Sequence, residues 1–308
     1  MSNSPDSTLL LIGLTDAGKT NFLVALDVVL DDQSDKDGLR HSEFASERTY
    51  LQPLKEQWLR GEVLEHTSRQ HPPPPHQLIV WHPESNTKAG LYLPDIAGES
   101  FDSHFVTRSI PHDFRNRIEN ATGLLLFIHC RHNGNHEILI NPELMEPSPI
   151  AEAPSPASAN VIRDWELEDA SPQTKLVDLL QFIMEIGSRQ SPLKIAVIIS
   201  AWDLVEKASK LGNSAAAEIP NDPTCFLTRQ WPLLDQFLHS QSSIFHFRVF
   251  GVSARGGGNT PDEIERITNL TRPSDRILVV DGTHRSNDLT RPVRWLLGLL
   301  KDNPSPDG

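Results

Sequence analysis

Blocks of apolar residues along this chain predict strands, because most of the blocks are too short for helices. The runs at 123–129 and 194–200 are almost continuously apolar, which is typical of strands buried on both faces of a parallel sheet. The run at 8–12 has the same character, whereas 245–252 alternates between apolar and polar residues. Further strands are predicted at 76–82, 89–95 and 276–280, the first two as an antiparallel pair around a turn at 83–88.

Apolar residues at helical spacing lie between these strands. In 21–30 they recur every three or four residues, as on one face of a helix. Similar patterns predict helices at 43–60, 175–188, 226–240 and 293–300, and 207–224 is predicted to be a polar loop. Strands that alternate with helices indicate an α/β fold, with a mostly parallel central sheet and helices on both faces.

Composition suggests one large folded domain within the 308 residues. We expect 1–7 and 301–308 to be disordered and 8–300 to form the domain. Within it, 141–172 is rich in Pro, Ala, Ser and Glu and has too few apolar residues to pack, which predicts a flexible insert. Residues 256–300 are expected to form a C-terminal extension.

The net charge of -13 limits the partners that the chain can bind. Nucleic-acid binding depends on neutralising phosphates, and anionic membranes attract basic segments, so both partners are disfavoured. No apolar run reaches the length of a membrane span. The first residues lack the basic segment of a signal peptide, and the chain has only two cysteines, so we expect a cytoplasmic protein with reduced thiols.

The sequence GLTDAGKT at 13–20 fits the phosphate-binding pattern G-x-x-x-x-G-K-[ST] and directly follows a predicted strand. Gly13 and Gly18 allow the backbone to bend around a phosphate, so that loop amides and a helix N-terminus face the anion. In such a loop Lys19 contacts the β- and γ-phosphates, and the Thr20 hydroxyl binds Mg²⁺. The alternative is a chance match in a glycine turn. The candidate phosphate-site residues are Gly13, Asp16, Ala17, Gly18, Lys19, Thr20 and Asn21.

Three further groups follow at the ends of predicted strands, where ligands bind in open parallel sheets. Asp95 can join the shell of Mg²⁺, and the amide of Gly98 can reach a γ-phosphate. Asp203 can accept hydrogen bonds from N1 and N2 of guanine, a donor pair that adenine lacks. After the alternating strand, main-chain amides can contact the base. The candidates there are Ser253, Ala254 and Arg255.

In this order, the segments GLTDAGKT, DIAG, SAWD and SAR resemble the motifs of P-loop GTPases of the translation-factor-related class. The resemblance spans about 8–255 and implies a guanine nucleotide, GTP or GDP, as ligand and Mg²⁺ as cofactor. More narrowly, DIAGE, ISAWD and LTRPVRWLL at 289–297 resemble bacterial double-GTPase proteins linked to conflict systems. That resemblance implies a protein effector or a partner GTPase.

The SAWD segment departs from the N/T-K-x-D pattern of the GTPases. Ser200 replaces Asn or Thr, and Ala201 replaces the Lys that packs over the base, which predicts weakened base binding. Trp202 is a candidate nucleotide contact, but its position also suits a side chain packed in the core, which is the interpretation we favour.

The catalytic assignments rest on the same resemblance and comprise Lys19, Thr67 and Glu99. Thr67 is the candidate switch threonine that meets Mg²⁺ and the γ-phosphate, with Ser68 or an ordinary loop role as alternatives. Glu99 stands where many such GTPases carry a Gln that orients water, and its negative charge predicts slow hydrolysis. Asp16 stands where related GTPases hold an Asn that coordinates K⁺, so a K⁺ requirement is a hypothesis beside a loop-shaping role.

Three functions remain open at this point. The first is a GTP-hydrolysing switch whose state a protein partner recognises. The second is a nucleotide-binding interaction module that does not hydrolyse its ligand. The third is an ATPase, against which Asp203 argues because its carboxylate matches guanine rather than adenine.

Overall fold

The computed structural model contains a mixed sheet that runs through the molecule. The residues it describes are 5–32, 38–42, 51–64, 76–93, 104–131, 170–186, 191–210, 221–258 and 260–300. Within these segments the strands are β1 (Ser7–Gly13), β2 (Arg40–His41), β3 (His76–His82), β4 (Thr87–Leu93), β5 (Gly123–His129), β6 (Leu193–Ser200), β7 (Phe245–Ser253), β8 (Leu278–Asp281) and β9 (His284–Ser286).

The spatial order of these strands is β2-β3-β4-β1-β5-β6-β7-β8-β9. Its central strands, from β4 to β7, pair in parallel. On one side β2, β3 and β4 pair antiparallel, and on the other β7, β8 and β9 do the same. The predicted α/β fold with a mostly parallel central sheet is therefore confirmed, and β3 and β4 form the antiparallel pair expected from the sequence.

Helices cover both faces of the sheet. Within the described segments they include α1 (Lys19–Asp31), α2 (Leu51–Leu59), α3 (His112–Asn120), α4 (Pro172–Ile186), α5 (Trp202–Lys210), α6 (Pro223–Gln230), α7 (Pro232–Ser240), α8 (Pro261–Thr268) and α9 (Arg291–Leu296). Along β1, Leu9 and Leu11 join one buried cluster and Leu10 and Ile12 the other, because successive strand side chains point to opposite faces. The first cluster receives α1, α2 and α9, and the second receives α3 to α7.

The helix predicted over 226–240 is wrong as a single element. It is divided into α6 and α7 at Trp231, because Pro232 has no amide hydrogen to continue the first helix and instead opens the second. The loop predicted over 207–224 is wrong at both ends. Helix α5 continues to Lys210, and α6 begins at Pro223, where the Asp222 side chain accepts the Cys225 amide.

The C-terminal region completes one edge of the sheet. The strand predicted at 276–280 starts later, at Leu278, because a 3₁₀ turn over Pro273–Arg276 precedes it. The helix predicted at 293–300 exists as α9, but it begins earlier, at Arg291, and ends earlier, at Leu296. Strand β9 and helix α8 come from segments for which the sequence analysis predicted no element. Several expectations lie outside the described residues: the ends 1–4 and 301–308, the first part of the helix at 43–50, and most of the insert, 141–169.

Candidate functional site

The loop at 14–18 joins the end of β1 to the start of α1, as the phosphate-binding pattern requires. Gly13 (φ 144°) and Gly18 (φ 91°) both adopt positive backbone angles that disfavour a side chain. A Cβ on Gly13 would stand 2.5 Å from the Phe127 carbonyl oxygen on the neighbouring strand. Asp16 also has a positive φ, 59°, and Ala17 is buried. The backbone therefore makes the sharp bend that a phosphate loop needs.

Lys19, the first residue of α1, folds back over this loop. Its Nζ donates to the carbonyl oxygens of Gly13 and Leu14, each at 2.7 Å. Burial lowers the pKa of Lys19 to about 8, and the charge of Asp16 opposes that shift. The ammonium is thus held at the mouth of the loop, with Thr20 and Asn21 following it in the first turn of α1.

The carboxylate proposed to recognise guanine lies at the end of β6, in the first turn of α5. The Ser253 hydroxyl donates to Asp203 Oδ1 at 2.6 Å, and Lys207 Nζ lies 3.7 Å from Oδ2. Ser253 is buried, and its Oγ also accepts the Gly256 amide at 3.2 Å. Two of the sequence-predicted groups, from the first turn of α5 and the end of β7, are therefore joined by a direct hydrogen bond.

Ser200 brings the phosphate loop and this carboxylate into one site. A Cβ on Gly18 would lie 2.9 Å from the Ser200 Cβ, so the loop and the end of β6 are in close contact. Next to it, Ala201 adopts φ 55°, and its carbonyl accepts from the Leu204 amide at the start of α5. This turn redirects the chain so that Asp203 faces the end of β7.

Trp202 points away from the site into the core. Its side chain is fully buried, and its ring meets the Phe226 ring edge-on at a centroid distance of 5.6 Å. A Cβ on Gly251 would lie only 2.4 Å from the indole. The core packing favoured in the sequence analysis is thus the one seen. The ring is not placed to stack on a base, and any contact of Trp202 with a nucleotide is limited to its main chain.

The main chain after β7 carries contacts that sequence motifs did not indicate. Trp58 of α2 donates through Nε1 to the Ala254 carbonyl at 3.2 Å, and the Arg255 guanidinium donates to the Gly61 carbonyl at 2.6 Å. Burial lowers the pKa of Arg255, and the charges of Asp203 and Glu263 oppose that shift. The Arg255 side chain therefore bonds to the turn that follows α2.

The family comparison agrees with this arrangement of motifs. A sequence model described as Double-GTPase 1 matches residues 10–296. The chain belongs to the Double-GTPase 1 family. Both the GTPase resemblance and the narrower double-GTPase resemblance found in the sequence are thereby confirmed. Among curated proteins, no sequence matches this chain.

Two solved structures show what this double-GTPase chain is similar to. One is the bacterial selenocysteine-specific elongation factor EF-Sec, at 12% identity and a TM-score of 0.32, covering 86% of this chain and 28% of the other. Another is the S. cerevisiae Ski7 GTPase-like domain bound to GTP, at 12% identity and a TM-score of 0.40, covering 82% of this chain and 43% of the other. This chain thus spans less than half the length of either structure.

Four predicted site residues of this Double-GTPase 1 member lie outside the described segments: Thr67, Asp95, Gly98 and Glu99. Of the proposed Mg²⁺ ligands, only Thr20 is described. It lies in the first turn of α1, beside the half-buried Lys19, where a hydroxyl suits a phosphate-bound Mg²⁺. The described part of the site therefore fits the ion through Thr20, and Thr67 and Asp95 stay predictions.

A second polar cluster lies near the far end of α1. Asp27, which is fully buried, and Asp31 face His41 of β2, with His41 Nε2 at 3.4 Å and 3.1 Å from the two carboxylates. These three side chains have the spacing of metal ligands. Lys55 of α2, however, forms ion pairs with both carboxylates, so its ammonium already provides the positive charge that they need. The cluster joins α1, β2 and α2.

Across the described segments, no helix of this family member has both the length and the apolar character needed to cross a lipid bilayer.

Proposed function

We propose that this chain is a GTP-binding and GTP-hydrolysing switch. The observation that carries the proposal is the hydrogen bond from Ser253 to Asp203, 2.6 Å long, in the same site as the phosphate loop. Gly18 of that loop packs against Ser200, three residues before Asp203. A carboxylate held in this way can accept both N1–H and N2–H of guanine, while Lys19 and the loop amides receive the phosphates.

The described residues provide binding and orientation. Lys19 would exchange its two carbonyl partners for phosphate oxygens, which offset charge better than neutral carbonyls. The amides of the loop and the N-terminus of α1 would fix the phosphates in line with attacking water. In this proposal Thr20, Thr67 and Asp95 hold Mg²⁺, which when bound neutralises charge on the β- and γ-phosphates.

The rate of hydrolysis is proposed to be slow without a partner. Gly98 would donate its amide to the γ-phosphate, and Glu99 would orient water, although its negative charge opposes that of the phosphate. The positive φ of Asp16, 59°, supports the loop-shaping role that is the alternative to K⁺ binding. The K⁺ role predicted for Asp16 gains no support from the comparisons.

The output of the switch belongs to the same proposal. A protein effector or a partner GTPase would recognise the nucleotide state, in a bacterial conflict or signalling system within the cytoplasm. Family membership supports a guanine-nucleotide switch of this kind. The acidic net charge of -13 supports a protein partner over a nucleic acid.

Mg²⁺-dependent binding of a fluorescent GTP analogue, competed by GTP, GDP and ATP, tests the proposal. We expect GTP and GDP to compete and ATP not to compete. Lys19→Ala should abolish binding, and Asp203→Ala should abolish the preference for guanine. Asp113→Ala is a matched control, because Asp113 occupies the first turn of α3 as Asp203 does in α5, and it is exposed. Equal competition by ATP would favour the ATPase alternative and contradict the assignment of Asp203.

A non-hydrolysing nucleotide-binding module is the second candidate. Ala201 stands where the GTPases carry the Lys that packs over the base, and it has a left-handed backbone conformation. This replacement favours weak base contacts, which fit a module that binds a nucleotide without hydrolysing it. Phosphate release from GTP distinguishes the two candidates. Release above the Lys19→Ala background supports the enzyme, whereas nucleotide binding with release at that background supports the module.

A further inference from the structure

The loop that follows β7 is held from outside by a helix from a distant part of the chain. We call residues 253–258 the base loop, because its amides are the ones proposed to meet guanine. Trp58 Nε1 donates to the Ala254 carbonyl at 3.2 Å across a sequence separation of 196 residues. Arg255 donates to the Gly61 carbonyl at 2.6 Å. Both contacts come from α2 and the turn that ends it.

Arg276 ties these two segments together. Its guanidinium lies over the Trp58 ring, 3.3 Å from the centroid, and donates to the Trp58 carbonyl. Arg276 is only 5% exposed, so this stack is a buried part of the structure. A Cβ on Gly256 would stand 2.0 Å from the Arg276 carbonyl oxygen, so the base loop also packs directly on the Arg276 main chain.

The other side of the base loop contacts the base-recognition carboxylate. Ser253 donates to Asp203 and accepts from the Gly256 amide, so a shift of the loop would change the position of both. The loop therefore lies between Asp203 on its inner side and Trp58 with Arg276 on its outer side. Because buried packing transmits small displacements, the outer contacts fix where the loop amides stand.

We propose that Trp58 and Arg276 are positioning residues for guanine recognition, and that they couple occupancy of the nucleotide site to α2. Neither side chain is proposed to touch the nucleotide. They act by holding the Ala254 and Gly256 main chain in place beside Asp203. Coupling between two sites is reciprocal, so a base that orders the loop also stabilises the α2 contact. The inference rests on the proposed guanine-nucleotide site.

The first test compares the rate of GDP dissociation from two tryptophan variants. Trp58→Phe keeps an aromatic ring under Arg276 but removes the donor to Ala254. We expect GDP to leave about three- to tenfold faster, the effect of one lost hydrogen bond. Trp81→Phe is the matched control, because Trp81 Nε1 donates to Asn86 at 3.1 Å on the turn between β3 and β4, near the opposite sheet edge. Its GDP release should match that of the unmodified chain.

A second variant and a second measurement keep the test decisive if Trp58→Phe fails to fold. Arg276→Lys keeps the charge but loses the planar stack, so it should also accelerate GDP release. Hydrogen exchange of the unmodified chain should slow at residues 51–64 when GDP binds, and slow less at 76–82 on the far edge. This exchange pattern responds to coupling, whereas a purely structural role of α2 would leave it unchanged.

The outcomes separate this inference from the proposed function. If the unmodified chain does not bind GDP, the proposed function fails. If it binds GDP, and both Trp58→Phe and Arg276→Lys release GDP at the unmodified rate, the positioning role is overturned. Equal protection of 51–64 and 76–82, or none in either, overturns the coupling. Faster release in a folded variant, with selective protection of 51–64, supports both parts.

Discussion

The Lys19 ammonium can bond either to main-chain carbonyls of the loop, as it does in the structure, or to the phosphate of the proposed ligand. In the structure its ammonium bonds to the carbonyls of Gly13 and Leu14, and burial lowers its pKa to about 8. A phosphate at the loop would favour the charged form and raise that pKa again. Holding Lys19 in its charged form therefore costs free energy when the loop contains no anion, and a bound anion would offset that cost.

This shift predicts that nucleotide affinity falls with rising pH. Below pH 8 Lys19 is already protonated in the free chain, so binding needs no proton. Above that pH, binding must take up a proton, and affinity should drop about tenfold between about pH 7 and about pH 9. Isothermal titration of GDP across this range measures the effect.

Lys19→Arg provides the control for ionisation of the guanine ring itself. Its guanidinium stays charged throughout the range, so its weaker binding should vary with pH only through the nucleotide. If the two proteins show the same pH dependence, the Lys19 assignment is wrong.

Among the elements, the packing of α5 against β7 positions Asp203. Gly251 lies against the Trp202 ring, and the residue after Trp202 is the carboxylate Asp203. Because the core is close-packed, the ring cannot move without moving the first turn of α5. The buried indole therefore serves the site through packing, although it faces away from it.

Gly251→Ala should weaken both stability and guanine binding. Its Cβ would come within 2.4 Å of the indole, and overpacking of this kind lowers the free energy of unfolding by about 1–3 kcal/mol. Denaturant unfolding and GDP affinity measure the two effects. Gly90→Ala in β4 is the control, since its added Cβ would meet the flexible end of Gln77, also at 2.4 Å, and should cost less. Equal losses in the two variants would contradict the packing argument.

The sequence predicted correctly those elements whose own residue pattern marks where they begin and end. Strands at 76–82 and 123–129 match to the residue, because each is an apolar run bounded by turn or loop residues. The break at Pro232 was missed because the apolar pattern continues across it from α6 into α7. At the site, the meeting of Asp203 with Ser253 followed from the rule that strand ends converge. The contact of Trp58 with Ala254 could not be predicted, because no motif links residues so far apart in the sequence.

At the scale of the whole molecule, a buried charge network joins the C-terminal region to the sheet. Asp281 at the end of β8 is 4% exposed and accepts from Arg248 of β7 at 2.8 Å and from Arg291 of α9 at 2.5 Å. Asp281 therefore links β7, β8 and α9. The region predicted as an extension is thus bound to the strand that leads into the base loop.

Asp281→Ala should lower the free energy of unfolding by about 3 kcal/mol, because it leaves two half-buried arginines, each with a side chain 15% exposed, without their shared carboxylate. Chemical denaturation followed by circular dichroism measures it. The control is Glu119→Ala, which removes an exposed pair with Arg115 and should cost less than about 1 kcal/mol. A similar small loss in both variants would show that the Asp281 network does not hold the edge.

The two outermost strands are very short: β2 has two residues and β9 has three. Exposed sheet edges recruit strands from other chains, and natural proteins limit this by shortening them. Within the described residues, β2 and β9 therefore offer few main-chain groups to a strand of another chain. Under the proposed function, a partner that paired with either of these two strands would gain few main-chain hydrogen bonds, so its recognition there would depend on side chains.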